Sequence, residues 1–129
     1  NEEIKGLETI EDQLEVFDII PYEDQIKDLL EIAKDNLASE KEKIKSLTEV
    51  YNNQDISRLF QIMTQADGKT PQHMDILLDN RNKKWISNIE DFAKKQPTFF
   101  GVGAAHLPGE NGVIKLLRKA GFTVTAVKQ

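Results

Sequence analysis

The sequence predicts an α/β fold: a small parallel sheet with a C-terminal βαβ unit and a large helical insertion. Three observations predict it. Residues 98–105 are an apolar run that ends in small residues, residues 110–120 keep helical spacing, and residues 122–127 alternate apolar with less apolar side chains. A strand, a short helix and a second strand in that order make a βαβ unit, whose strands run parallel with a right-handed crossover. Residues 22–96 repeat apolar side chains at helical spacing and supply the insertion.

In chain order, Ile4-Lys5-Gly6-Leu7 is a short strand with Glu8-Thr9 at its C-terminal end. Thr9 caps the helix that follows, Asp12 stands in the capping-box position, and the helix stops before Pro21. From Tyr22, the residues Ile26, Leu29, Leu30, Ala33 and Leu37 keep helical spacing. Ile44, Leu47, Val50 and Tyr51 resume it after the charged Ser39-Glu40-Lys41-Glu42-Lys43 stretch, as one long helix or two. Asp55 caps a short helix with Ile56, Leu59, Phe60 and Met63 on one face, closed by Asp67-Gly68. Thr70-Pro71 opens an amphipathic helix over residues 72–95, with Ile76, Leu77, Trp85, Ile86, Ile89 and Phe92 at its apolar positions and Pro97 beyond its end. Residues 98–105 form a buried strand, Glu110-Asn111-Gly112 starts a helix that Gly121 terminates, and residues 122–127 are the last strand. Trp85 and the Phe99-Phe100 pair are core candidates.

The organisation is therefore a strand and helix over residues 1–21, a helical insertion over residues 22–96 and a βαβ unit over residues 97–129. Three strands make a thin sheet, because a parallel sheet normally has both faces covered. The expectation is a portion of a larger domain, or a homo-oligomer formed through an open sheet edge.

The 129 residues suffice for one ordinary domain. Seventeen basic against 22 acidic residues give a net charge of -5, with no basic stripe interleaved with aromatics, so no nucleic-acid partner is expected. Cysteine is absent, which excludes disulfides, thiolate metal sites and a thiol nucleophile. No apolar run approaches the roughly 18 residues of a membrane span.

Ligands and chemistry gather beyond the carboxyl ends of parallel strands, and Glu8 and His106 each stand at such an end. A neutral imidazole and a carboxylate suit Mn, Zn, Fe or Co, and a bound metal makes water nucleophilic at neutral pH. The competing reading has His106 satisfying a backbone group in its turn and Glu8 interacting with the start of its helix. Arg81, within Asp79-Asn80-Arg81-Asn82, either faces water or a nearby carboxylate, or offers its fork of donors to a substrate carboxylate or an oxyanion. His73 has no neighbouring set of ligands and reads as a surface residue. The Gly101-Val102-Gly103-Ala104-Ala105-His106 stretch invites a dinucleotide reading but fails it. His106 takes the place of the third glycine, and no acidic residue follows the next strand to hold a ribose.

Three blocks together resemble the TraB/GumN family in order and spacing: Gly6-Leu7-Glu8-Thr9 with Gln13 and Phe17; Arg81-Asn82 with Trp85; and Gly103-Ala104-Ala105-His106-Leu107-Pro108-Gly109 followed by Gly112 and Leu116-Leu117-Arg118-Lys119-Ala120-Gly121-Phe122. That family is related to the Tiki metalloproteases and, more distantly, to the haem-associated ChaN proteins. The resemblance implies a metal-dependent hydrolase, foremost a Tiki-like peptidase acting on a peptide or protein with divalent Mn, Co or Zn. It places Glu8, Arg81 and His106 in one site, with Glu8 and His106 as metal ligand or base and Arg81 as electrostatic stabiliser. It also implies a cell-envelope or secreted location. Family members carry an earlier Gly-x-x-His, whereas this chain has one, at Gly103 to His106. The resemblance thus implies the C-terminal portion of a family domain, lacking part of the active site and not binding the metal tightly alone. The alternative is a non-catalytic module that binds haem, a peptide or an envelope partner.

Overall fold

A reciprocal pair of hydrogen bonds starts the first helix of the computed structural model, which describes residues 4–34, 37–65 and 73–127. The Thr9 hydroxyl accepts from the Asp12 backbone N–H at 3.1 Å, and the Asp12 carboxylate accepts from the Thr9 N–H at 3.0 Å. This capping box satisfies two backbone donors that α1 (Ile10–Ile19) would otherwise leave unpaired. Pro21 separates α1 from α2 (Tyr22–Lys34), and Gln25 Nε2 ties the corner by donating to the carbonyls of Phe17 and Ile20 at 3.1 and 2.9 Å. The charged stretch near Lys41 lies within α3 (Ala38–Asn52), and Leu37, at φ 67°, stands between α2 and α3, so the long helical pattern is two helices. Asp55 Oδ1 accepts from the Arg58 N–H at 2.9 Å and caps α4 (Ile56–Gln65).

The expected Asp67-Gly68 stop and Thr70-Pro71 start lie outside the described residues. Beyond them, a π-helical turn at Asp75–Asp79 runs into α5 (Asn80–Lys95), which ends before Pro97. A 3-10 turn at Ala104–His106 and the seven-residue α6 (Val113–Lys119) complete the order, with Gly121 at φ 95° just past the last helix. α3 packs on α4 and α5 on α6, while the π turn lies against both α1 and the 3-10 turn.

The α/β expectation is overturned: among the described residues there is no strand, and the architecture is all-α. Residues 4–6, 97–103 and 122–127 carry no regular structure, and Ala104–His106 turns where the strand was to end. The parallel sheet and the βαβ unit are therefore absent from the described residues, and the open-edge route to a homo-oligomer loses its basis. The reason is where the apolar side chains find cover. Trp85, Ile89 and Val113 form the core between α5 and α6, and Leu7, Phe100, Val102 and Leu117 pack against it. Leu7, at the end of the first supposed strand, and Phe100 and Val102 of the second thus find cover on a helix pair, and short apolar runs read alike in either case. Burial of Ile89, 4 % exposed, contributes about 1.5–3 kcal/mol. Phe99, expected in the core beside Phe100, is 94 % exposed. Among the described residues no helix is long and apolar enough to cross a membrane.

Candidate functional site

The N-terminal segment is pinned to α5 by Asn88, whose Nδ2 donates to the Leu7 carbonyl at 2.8 Å. The next side chain, Glu8, thereby meets Arg81 and Trp85, which share a helix face at i and i+4. Glu8 Oε2 accepts from Arg81 Nε at 3.1 Å and Trp85 Nε1 at 3.0 Å; Oε1 accepts from Arg81 Nη2 at 2.5 Å and Gln13 Nε2 at 2.8 Å. A carboxylate offers about four lone-pair sites, and these four N–H groups fill them. Burial pushes the Glu8 carboxyl up, but the hydrogen bonds from Arg81, Gln13 and Trp85, with the Arg81 charge, outweigh it and hold the group below its ordinary value. Arg81 is anchored from a third side, where Nη1 donates to the Leu77 carbonyl at 2.9 Å.

His106 sits on the 3-10 turn and is buried, its ring 4.5 Å from that of Trp85 between centroids and tilted by 38°. Trp85 therefore joins the two halves of the cluster: its indole N–H serves Glu8 and its ring lies against His106. His106 Nδ1 is 2.6 Å from Asn82 Oδ1, and Asn82 is 1 % exposed. Asn82 Nδ2 donates to the carbonyls of His106 and Asn111 at 3.3 and 2.8 Å, and Asn111 Nδ2 donates to Asp79 Oδ2 at 2.8 Å. Burial lowers the His106 pKa, the Arg81 charge lowers it further, and Glu8 offsets part of the fall. Both of the larger effects favour the neutral imidazole.

Glu8 and Arg81 are thus in direct contact, and His106 adjoins them across the Trp85 ring rather than by a hydrogen bond to either. His73, read as a surface residue, is part-buried, with Nε2 3.1 Å from Asp24 Oδ2. Sequence reasoning placed Asn82 and Trp85 in a block that carries the family resemblance, but it gave the side chains of Asn82, Asn111 and Asp79 no part in the site and read Trp85 as a core residue. A signal was present for Asn82: residues 82, 85 and 89 share one helix face, so a polar side chain stands in line with two buried apolar ones.

The donor set decides whether these residues fit a metal ion. His106 fits as one imidazole ligand, but Glu8 does not fit as a second, since both oxygens already accept two N–H groups each. No group of three His, Cys, Asp or Glu side chains able to hold an ion occurs among the described residues. As arranged, the described residues do not make a metal centre.

The fold and the cluster define a helical domain in which one helix holds a saturated acid–arginine pair on one side of a tryptophan and a buried, neutral histidine on the other. A sequence model of the TraB/PrgY/gumN family matches residues 1–126, and the chain belongs to that family. No curated protein and no solved structure shows significant similarity to it.

Proposed function

We propose that the chain serves a hydrolase of the peptidase class, with His106 as its reacting group. The observation that supports this is the state of His106: a buried ring with Nδ1 engaged by Asn82, held neutral, and Nε2 left for a reaction partner. A neutral imidazole takes the proton of a water that attacks a scissile carbonyl and returns it to the leaving amine. Three of the five Arg81 N–H groups are committed to Glu8 and Leu77, and the other two are available to an oxyanion. Glu8, with its lone pairs taken, holds Arg81 and Trp85 in place. Dependence on manganese, cobalt or zinc would need ligands other than Glu8. The family resemblance supports the cell envelope or the exterior of the cell as the place of reaction.

The test is peptide turnover by the wild-type protein and by His106→Ala, each with and without added manganese, cobalt or zinc, and with circular dichroism to check folding. Turnover in the variant should fall by about 100-fold or more. Equal turnover by the two proteins refutes the assignment of His106. The saturation of Glu8 favours a second reading, a module that binds haem, a peptide or an envelope partner through the same cluster; saturable binding with no turnover would identify it.

A further inference from the structure

We propose that Asn82 is the positioning residue of this site: it fixes His106 in the Nδ1–H tautomer and so directs the Nε2 lone pair at the substrate. The inference deepens the hydrolase reading and rests on it for the word substrate. The tautomer follows from hydrogen-bond logic. Asn82 Nδ2 lies 2.8 Å from the Asn111 carbonyl and 3.3 Å from the His106 carbonyl, and only an NH2 group can face two carbonyl oxygens. The amide orientation is thereby set, and Asn82 Oδ1 is the atom that faces the ring. An acceptor 2.6 Å from Nδ1 requires a proton on that nitrogen. The remaining ring nitrogen, Nε2, then carries the lone pair. The free side chain of histidine prefers the opposite tautomer, so the protein imposes this one.

The grip is on the whole residue. Asn82 holds both the ring and the backbone carbonyl of His106, and the Asn111 carbonyl holds Asn82 in turn. Asn111 is itself tethered to Asp79, three residues before Asn82 on the same helical path. The π turn at Asp75–Asp79 leads directly into this arrangement; its wider i to i+5 closure, from the Asn80 N–H to the Asp75 carbonyl, sets the phase in which α5 presents Asn82. An amide also differs from a carboxylate here: it orients the ring without adding a negative charge that would favour the imidazolium.

The experiment is 15N NMR of the histidine-labelled wild-type protein at pH 8, with His73→Gln to assign the two imidazoles. A dominant Nδ1–H form of His106 is expected, and a dominant Nε2–H form overturns the proposal. In Asn82→Leu, which keeps the volume and removes the acceptor, the Nε2–H form should take over, and kcat should fall about 10- to 100-fold with KM little changed. Retention of the Nδ1–H form or of wild-type kcat in the folded variant equally overturns it. If Asn82→Leu does not fold, the wild-type spectrum alone decides. Absence of turnover in the wild-type protein would defeat the hydrolase reading, while the tautomer would still report on Asn82.

Discussion

Replacing Glu8 by Gln tests the cluster at its most crowded point. The substitution keeps the shape of the side chain and exchanges one of its two accepting oxygens for an NH2 group. With the amide oxygen turned towards Arg81 Nε and Trp85 Nε1, the new NH2 faces Arg81 Nη2 and Gln13. Gln13 is exposed and can turn its own amide to accept, so one Arg81 N–H is left without an acceptor. The Glu8 and Arg81 side chains are 10 % and 21 % exposed, so water replaces that partner only in part. An unpaired donor at the lower end of the usual range costs about 1 kcal/mol, and reducing charge-assisted bonds to neutral ones costs about another 1 kcal/mol. A loss of about 2 kcal/mol follows. In urea denaturation, at an m-value of about 2 kcal/mol/M, the midpoint should fall by about 1 M. The double variant Glu8→Gln with Arg81→Gln should lose less than the sum of the single changes, since the two residues act on each other. A midpoint lowered by less than about 0.3 M would show that the pair behaves as an ordinary exposed ion pair and that Glu8 does not organise the cluster.

Acid should destabilise the protein in two windows. His106 is lowered below the ordinary histidine value, so the unfolded chain binds its proton first; stability is full above that value and falls as pH drops towards the native one. His106→Gln should flatten this part of the urea-midpoint profile, and an unchanged slope would contradict the burial of the ring. Glu8 adds a second fall below the ordinary carboxyl range, towards its lowered native value, which Glu8→Gln should remove. Gly103 and Gly109, on either side of His106, should respond in opposite ways to alanine. Gly109 has φ 92°, and a Cβ there would lie 2.7 Å from the Phe60 ring, so Gly109→Ala should lower stability by more than about 1 kcal/mol. Gly103 has φ -62° and ψ 140°, and its nearest contact would be 3.6 Å, to His106 Cδ2; Gly103→Ala should be neutral or slightly stabilising in thermal melts.

Signals that act within a few residues were legible in the sequence. Thr9 with Asp12, Asp55 before Ile56, Pro97 after α5 and Gly121 after α6 each bound a helix through chemistry confined to one turn. The way the apolar runs are covered was not, because such a run states that it needs cover and not what covers it, and strands were expected where Leu7, Phe100 and Val102 pack on Trp85, Ile89 and Val113. The nearness of Glu8 to His106 was inferred from a sheet edge that does not exist among the described residues, and that of Glu8 to Arg81 from the family resemblance alone; the second contact arises because Asn88 holds the backbone at Leu7 and the Glu8 side chain bridges to Arg81 and Trp85. The partners of Asn82 were hidden for a different reason. They are two residues, His106 and Asn111, 24 and 29 positions away along the chain, and no local pattern reports groups brought in from another segment.

The π turn has a consequence for how this segment tolerates changes of length. On one side of it His73 is held by Asp24 of α2, and on the other Arg81 and Trp85 are held by Glu8 and Asn82 by His106 and Asn111. Removing one residue from Asp75–Asp79 would restore an ordinary helical turn, and because the wider closure and the ordinary one each sweep about one turn, the two anchored ends would keep their phase. Both ends could then keep their partners, whereas one more residue, with no further wide turn to absorb it, would rotate them apart by about 100°. Point substitutions along this stretch are local events, felt most at Asp79, which holds Asn111, whereas a single-codon insertion is a phase error, and a library that scans lengths should find the stretch tolerant of one residue fewer and intolerant of one residue more.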